Sequence, residues 1–229
     1  MTAVKAVISD FGGVLTSPLS AAFEGYQRKA GIPFGSLGEA MQRIAERTGE
    51  HPLFELEKGK LAEKDFRAAL EAEVGQQLEP FAESWFEHLH TNDTMLAYLR
   101  GLRMDRGLRV GMLTNNVREW EPLWRPKVPG LEEIFEVVVD SAFVGMRKPD
   151  AGIYALTLER MGGLEYEECV FIDDLEPNVD AARELGMHAV RFETTEQAIA
   201  DTERVLRPPA SRGPSGEAAP AVRPSSRPA

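Results

Sequence analysis

The sequence predicts an α/β fold: a doubly wound parallel sheet with helices on both faces and a helical block inserted after the first strand. Short apolar runs rich in β-branched residues alternate with amphipathic stretches of helical period. The apolar runs are nearly continuous, which is typical of strands buried on both faces of a parallel sheet. Strands that alternate with helices are joined by right-handed crossovers, and this connectivity predicts the doubly wound arrangement.

The composition limits the classes of function. The 229 residues are 43% hydrophobic and 28% charged, and no apolar run is long enough to span a bilayer. No secretory signal pattern is present, so we expect a cytoplasmic protein that does not bind membranes. The single cysteine, Cys169, excludes an intramolecular disulfide and a cysteine-based metal cluster. The net charge of −11 argues against nucleic-acid binding but allows a small phosphorylated substrate. A monomer and a homodimer both remain open.

The first predicted strand, at residues 4–9, ends at a carboxylate and two glycines. Asp10 follows the strand, and Gly12 and Gly13 allow a sharp turn and a close approach of the backbone to a small ligand. The carboxyl ends of the strands form the ligand crevice in open α/β sheets. Asp10 is therefore either a helix cap or a reactive group. The cap is the weaker alternative because Gly-Gly-Val-Leu is a poor first helical turn.

Residues 17–93 contain no strand signal and are predicted to form the inserted helical block. Helices are expected at residues 19–30, from a cap at Ser36 to about Gly49, in a short piece from Pro52 to Gly59, around Phe66, Leu70 and Val74, and around Phe81, Trp85, Phe86 and Leu89.

Residues 94–206 return to alternating helices and strands. Strands are expected at residues 109–113, 135–139, 169–172 and 189–192. Helices are expected at residues 94–102, 151–161 with Asp150 as the cap, 177–185 and 195–206. Residues 207–229 are dominated by Pro, Ser, Ala and Gly and are predicted to be disordered.

Polar groups stand at several predicted strand ends, and together they suggest phosphoryl chemistry. They are Asp10, Thr114 with Asn115, and Asp173 with Asp174, while Lys148 arrives from a loop before a helix. Two carboxylates at one site repel each other unless a cation lies between them, and an all-oxygen site suits Mg²⁺. Each group also has an ordinary structural explanation, as a turn residue or a solvated lysine. Their order along the chain and their placement at strand ends favour the chemical interpretation.

Four segments, residues 10–15 (DFGGVL), 113–115 (LTN), 147–150 (RKPD) and 171–174 (FIDD), resemble the ordered motifs of the haloacid dehalogenase (HAD) superfamily. The resemblance covers roughly residues 4–206. Within it, residues 144–150 (VGMRKPD) and 173–178 (DDLEPN) are similar to the phosphatase-like N-terminal domain of soluble epoxide hydrolases and its bacterial relatives. It implies a Rossmann-like core formed by residues 1–16 and 94–206. It also implies a small helical cap formed by residues 17–93.

The resemblance also implies roles for the residues that handle the phosphoryl group. Asp10 would be the nucleophile that forms an aspartyl-phosphate. Thr114 and Asn115 would hold the phosphoryl group, and Lys148 would balance the charge of nucleophile and phosphate.

A further set of residues is implied for Mg²⁺. Asp10, the backbone carbonyl of Gly12 and Asp174 would ligate the ion. Asp173 would lie next to it, or bind it through water, and Asn178 would order the loop and the start of the next helix.

One position departs from the family pattern. Phosphatases of the superfamily usually carry a second Asp as general acid and base where this chain has Gly12. We therefore expect a phosphatase with slow or restricted turnover, acting on a substrate with a good leaving group or using another acid from the cap. A 2-haloacid dehalogenase and a non-catalytic binding protein with the same fold are the alternatives.

Substrate recognition is expected in the cap and in the loop after the second motif. Arg118, Trp120, Trp124 and Arg125 either face the substrate there or have packing and surface roles. Cap opening is expected on hinges near residues 16–18 and 93.

Overall fold

The structure, a computed structural model, describes residues 3–17, 19–82, 86 and 89–207. Of the predicted helix around Phe81, Trp85 lies outside the described residues. The predicted disordered tail also lies outside them from residue 208 onward.

The described residues form one sheet of five parallel strands in the order β3-β2-β1-β4-β5, which confirms the predicted fold class. The first strand is central, and Ala6 is paired with Arg109 on one side and with Cys169 on the other. The strands are β1 (Ala6–Ser9), β2 (Arg109–Thr114), β3 (Val137–Asp140), β4 (Cys169–Asp173) and β5 (His188–Arg191).

The described helices comprise four in the inserted block and seven around the sheet. They are α1 (Leu19–Ala30), α2 (Ser36–Thr48), α3 (Pro52–Glu57), α4 (Glu63–Val74), α5 (Asp93–Met104), α6 (Glu121–Trp124), α7 (Leu131–Ile134), α8 (Ser141–Val144), α9 (Ala151–Arg160), α10 (Glu176–Glu184) and α11 (Thr195–Leu206). None of them combines the length and the apolar character needed to cross a membrane.

Helices cover both faces of the sheet because successive side chains of each strand point to opposite sides. Val7 belongs to the cluster that contains Leu99 of α5 and Ala198 of α11. Ile8, the next residue, belongs to the cluster that contains Ile153 of α9 and Ala182 of α10. A strand with buried side chains on both faces therefore lies at the centre of the molecule.

One of two predicted helix caps was wrong, and the other was confirmed in its position but not in its hydrogen bond. Gly35, with φ +87°, takes the N-cap position of α2, and the Ser36 hydroxyl donates a hydrogen bond to the Pro33 carbonyl instead. Asp150 does precede α9, but its side chain makes no capping hydrogen bond.

The strand predicted at residues 135–139 begins later, at Val137. Phe135 instead terminates the short helix α7, and its backbone N–H donates to the Leu131 carbonyl.

The two connections between the sheet and the helical block run side by side. Thr16 and Thr91 form an antiparallel bridge. On either side of the bridge, the Ser17 N–H donates to the His90 carbonyl and the Asn92 N–H donates to the Leu15 carbonyl, each at 2.8 Å. The chain therefore leaves the sheet and returns to it at one place.

Asn92 stabilises the place where the two connections run side by side, and it provides a test of the fold. Its Oδ1 caps α5 by accepting from Met95 N–H, and its Nδ2 donates to the Val14 carbonyl and to Thr195 Oγ1. We expect Asn92→Ala to lower the free energy of unfolding by about 2 kcal/mol because a cap is lost and a carbonyl loses its donor. Ser36→Ala, at a helix start where the side chain does not cap, should cost less than about 0.5 kcal/mol. Urea denaturation of both variants checks this, and equal losses would contradict it.

Candidate active site

Four polar residues predicted at strand ends meet at one edge of the sheet. Asp10 follows β1, Thr114 ends β2, and Asp173 and Asp174 lie at the end of β4. Because β2, β1 and β4 are parallel neighbours, their carboxyl ends lie together. The Asp10 N–H continues the ladder by donating to the Ile172 carbonyl at 2.9 Å.

The ammonium group of Lys148 lies buried between two of these carboxylates. Its Nζ is 2.8 Å from Asp10 Oδ1 and 2.6 Å from Asp173 Oδ2, and the residue is fully buried. Burial favours the neutral amine, yet the charges of Asp10 and Asp173 raise the pKa of Lys148 above its ordinary value. Lys148 is therefore charged at neutral pH.

Asp10 is nearly buried as well. Burial raises the pKa of Asp10 well above its ordinary value, and the Lys148 ammonium opposes that effect. The Phe11 N–H and the Lys148 ammonium both donate to Asp10 Oδ1. The carboxylate is thus fixed in one orientation at the end of its strand.

Asn115 positions Lys148 rather than pointing its side chain into free space. Its Nδ2 donates to the Lys148 carbonyl at 3.0 Å, and its Oδ1 accepts from the Lys148 N–H at 2.8 Å. The side chain therefore holds the backbone from which the lysine extends. The group that Asn115 can offer to an anion is its backbone N–H.

Asp173 is surrounded by donors. Its two oxygens accept from Lys148 Nζ, from Leu175 N–H and from Asn178 Nδ2. The backbone carbonyl of Asn178 in turn accepts a hydrogen bond from the Tyr154 hydroxyl. Asp173 therefore orients the lysine, while Asn178 orders the loop at the start of α10.

Asp174 lies against the glycine turn that follows Asp10. A Cβ added to Gly13, which has φ +78°, would lie 2.1 Å from Asp174 Oδ2, so only glycine leaves room for this carboxylate. Burial, and then the charge of Asp173, raise the pKa of Asp174 to about 6.

The donor set fits a hard divalent cation. Oxygen atoms of Asp10, Asp173 and Asp174 lie within 4.8 Å of one another, and Lys148 supplies one positive charge against these three carboxyl groups. A cation bound by oxygen atoms would offset the remaining negative charge.

Two carboxylates near this edge were missed from the sequence. Asp140, at the end of β3, caps α8 by accepting from Ala142 N–H, and its Oδ2 is buried with no hydrogen-bond partner. Glu57, at the end of α3, is hydrogen-bonded to Arg147 Nε at 2.6 Å. Asp140 directly follows the apolar run of the predicted strand at residues 135–139, so the signal that identified Asp173 could have identified it too. Glu57 lies in a helix, and only the tertiary structure shows that it is mostly shielded from solvent.

Glu57 belongs to a contact between the helical block and the sheet domain. The Ser141 hydroxyl donates to the Glu57 carbonyl at 2.6 Å, and the guanidinium of Arg147 lies 4.0 Å from the Phe54 ring centroid. A Cβ on Gly59 would come within 2.2 Å of the Ala142 carbonyl oxygen, so the backbones of the two parts are in direct contact here. Arg147, which takes part in this contact, directly precedes Lys148 in the sequence.

The four residues proposed for the loop after β2 have different environments. Trp120 lines a cavity that also touches Gly12, Thr114 and Asn115. Trp124 is buried against Phe11, with ring centroids 5.3 Å apart.

The two arginines of that loop have packing and surface roles. Arg118 donates to the Ala142 carbonyl, and Arg125 pairs with Glu121 and Glu132. Of the four residues, Trp120 alone is part of the cavity wall among the described residues.

Comparison with protein families gives one match along most of the chain. Residues 4–186 match the family model of haloacid dehalogenase-like hydrolases. The matched range includes all four segments that resemble the superfamily motifs.

Several curated proteins are similar over most of this chain. Acyl-CoA dehydrogenase family member 10 of Mus musculus is 29% identical over 88% of the chain, and bifunctional epoxide hydrolase 2 of Sus scrofa is 26% identical over 89%. The chain spans only 19% and 39% of those two proteins. The phosphorylated carbohydrates phosphatase of Thermotoga maritima is 28% identical, with 82% of this chain and 84% of that protein covered.

Solved structures share the fold at low identity. A HAD family enzyme of Bacteroides thetaiotaomicron, in complex with magnesium and inorganic phosphate, superposes with a TM-score of 0.62 at 23% identity, covering 84% of this chain and 96% of that one. An L-2-haloacid dehalogenase of Xanthobacter autotrophicus gives 0.58 at 20% identity, covering 90% and 85%.

Asp140 makes the stability of this edge depend on pH. Burial raises the pKa of Asp140 to about 6, above its ordinary value, so the folded state binds more protons than the unfolded state. The free energy of unfolding should therefore rise as the pH falls from 7 to 5, by about 1 kcal/mol from this group. Asp140→Asn keeps an oxygen for the Ala142 N–H and should remove that increment.

Chemical denaturation of wild type and Asp140→Asn at pH 5, 6 and 7 measures the difference. Asp65→Asn, at an exposed position in α4, is the matched control and should retain the wild-type pH dependence. An Asp140→Asn profile parallel to that of wild type would contradict the assignment.

Proposed function

Because the chain belongs to the haloacid dehalogenase-like hydrolases, we propose that it is a Mg²⁺-dependent phosphomonoester hydrolase with Asp10 as its nucleophile. The substrate is a small phosphorylated metabolite. The observation that carries the proposal is the charged, buried Lys148 between Asp10 and Asp173, with Asp174 beside them. Similarity to a protein named as a phosphatase supports the same reaction class.

Asp10 is suited to covalent catalysis because an ionised carboxylate needs no base to activate it. It attacks the phosphorus, the alcohol leaves, and the phosphoryl group is carried as an aspartyl-phosphate until water hydrolyses it. The hydrogen bond from Phe11 N–H and the Lys148 ammonium hold the carboxylate in place. Such fixed orientation is a large part of what an active site contributes.

The charge on the transferring phosphoryl group is met by donors that are already oriented. The Thr114 hydroxyl, the backbone N–H of Asn115 and the Lys148 ammonium are assigned to its non-bridging oxygens. Donors fixed before the reaction stabilise developing charge without a cost of reorganisation. Asn115 contributes a second time, through the side chain that holds the Lys148 backbone.

Mg²⁺ would be held by Asp10, the Gly12 carbonyl and Asp174. When bound, it supplies positive charge that draws the carboxylates and the substrate phosphate together. Asp173 is assigned to the lysine rather than to the ion, because both of its oxygens already accept hydrogen bonds. The Bacteroides enzyme of the same fold was crystallised with magnesium and phosphate, which supports this choice of ion.

Residues 17–93 are proposed to act as a cap that opens and closes over Asp10. The side-by-side connections at Thr16 and Thr91 provide a hinge. The Glu57–Arg147 pair joins the helical block to the sheet domain at a second place. Closure excludes water from the site. A cytoplasmic location and a monomeric or dimeric state stay predictions from the sequence.

The nucleophile assignment is tested by Asp10→Asn. We expect wild type to release phosphate from 4-nitrophenyl phosphate only with Mg²⁺ present, and Asp10→Asn to lose at least about 10³-fold in kcat, because an amide cannot attack phosphorus. Asp65→Asn should retain wild-type activity. Circular dichroism of each variant verifies folding.

Other outcomes would point to the alternatives. Halide release from a 2-haloacid without metal would assign the chain to dehalogenation. Binding of Mg²⁺ and phosphate without turnover of any phosphate ester would identify a non-catalytic protein. Full activity of Asp10→Asn would contradict the nucleophile itself.

The glycine at position 12 leads to a second prediction, on leaving groups. Without an acid at this position, the rate should fall steeply from 4-nitrophenyl phosphate to phenyl phosphate. Gly12 lacks the positive φ of Gly13, so its backbone can accept an aspartate. Gly12→Asp should raise kcat for phenyl phosphate by about 10²-fold or more by supplying a general acid, with less gain for 4-nitrophenyl phosphate.

Gly12→Asn is the matched control, because the amide has a similar size and cannot donate a proton in this way. Equal gains with Asp and Asn, or no change in the ratio of the two substrates, would contradict the interpretation of Gly12.

A further inference from the structure

A cavity of about 490 Å³ lies between the helical block and the end of the sheet. Most of its wall is apolar, and much of that wall comes from the block, including Met41, Leu56, Phe66, Leu70, Phe81 and Phe86. Its volume is within the range of pockets that enclose small organic ligands, about 300–1,000 Å³.

The cavity is continuous with the groups assigned to phosphate. Gly12, Thr114 and Asn115 are part of the same wall as Phe66 and Phe81. A molecule whose phosphate lies at Asp10 therefore has its remaining atoms in this cavity when the block is in the observed position. The body of the substrate, meaning all of it except the phosphate, therefore occupies the cavity.

The charges of the wall restrict what the body can be. Among the described residues that line the cavity there is no Lys, Arg or His, and the ionisable side chains are those of Glu24 and Glu57. A second anionic group on the substrate would therefore face two carboxylates and no positively charged side chain of the wall. Hydroxyl groups of a sugar would lose water without gaining enough partners, and each such loss is unfavourable.

The wall also has apolar side chains that are open to solvent. Phe34, from the block, is 81% exposed, and Leu175, from the loop after β4, is 53% exposed. Exposed apolar side chains of this kind can contact a hydrocarbon ligand as it enters the cavity.

We infer that the substrates of this site are phosphate esters whose body is an uncharged hydrocarbon, aliphatic or aromatic, rather than a sugar or a nucleoside. This inference rests on the proposed phosphatase function for the position of the phosphate. It extends that function by naming the class of leaving group. Within this class, Gly12 favours the esters whose leaving group departs with little help from an acid, as a phenolate does.

The kinetic test uses phenyl phosphates with 4-methyl, 4-butyl and 4-octyl substituents, below their aggregation limits. The leaving oxygen is nearly constant in this series, so changes report on the tail. We expect kcat/KM to rise by up to about fourfold per methylene that enters the cavity, and then to level off when the cavity is full. Glucose 6-phosphate should be at least about a hundredfold less efficient than hexyl phosphate, whose leaving oxygen is also that of a primary alcohol.

Binding is measured separately with alkylphosphonates of two to ten carbons, which cannot be hydrolysed. Calorimetry in saturating Mg²⁺ should give a dissociation constant that falls with chain length in the same range. This arm distinguishes the inference from the proposed function, because it does not require turnover.

Gly38 offers a variant that fills the cavity. It lies in α2, lines the cavity, and has open space around the position of a Cβ. Gly38→Phe should remove the gain from the longer tails, while affinity for ethylphosphonate, whose two carbons occupy little of the cavity, stays within about threefold of wild type. Gly38→Ala is the matched control: it also replaces the glycine in the helix, occupies little volume, and should keep the chain-length dependence.

The outcomes separate as follows. Chain-length-dependent phosphonate binding without turnover supports the hydrocarbon site and refutes the hydrolase. Turnover and binding that are independent of chain length refute the hydrocarbon site and leave the hydrolase intact. Preference for glucose 6-phosphate, or a chain-length dependence that Gly38→Phe leaves unchanged, also overturns the inference.

Discussion

The buried ammonium of Lys148 is the interaction on which this end of the sheet depends. Two neighbouring parallel strands, β1 and β4, bring Asp10, Asp173 and Asp174 to one edge, and their charges repel each other in a largely buried region. Lys148 is the cation held between two of them, and removing one partner of such a buried pair typically costs about 3–5 kcal/mol. The surrounding polar side chains serve this arrangement: Asn115 holds the backbone of the lysine, and Asn178 holds the carboxylate of Asp173. The same charge that makes the strand ends compatible is available to a phosphoryl group.

The sequence was informative wherever a local pattern determines the structure. Asp10, Thr114 and Asp173 each follow an apolar run, so their position at strand ends, and hence at a common edge, could be predicted before the fold was known. Contacts between distant segments could not. Glu57 is an ordinary acidic residue in a helix, and its shielding from solvent depends on how the helical block lies on the sheet domain. Asp140 follows the apolar run of β3 and had the same local signal as Asp173, but it was overlooked. At α2 the residue before the predicted cap, Gly35, took the N-cap position, where the backbone has a left-handed angle that favours glycine.

The site and the cavity are built by different parts of the chain. Strand ends and the loop that bears Lys148 supply the charged groups, and they contain the four segments that resemble the superfamily motifs. The helical block supplies most of the apolar wall, from α2 to α4 and the segment that holds Phe81 and Phe86. This division explains why family membership is informative about chemistry and less informative about the substrate. The fold is shared with an enzyme crystallised with phosphate and with a dehalogenase, at TM-scores of 0.62 and 0.58.

The paired connections at Thr16 and Thr91 have a consequence for how such proteins diverge. The whole helical block is one contiguous stretch of sequence whose two ends are hydrogen-bonded neighbours. Its replacement by a stretch of different length or composition would leave the order and register of all five strands unchanged. Recombination at this single locus can therefore give a lineage a new ligand preference in one step, while point mutation refines the reaction centre independently. Grafting the block onto a related sheet domain uses the same two junctions.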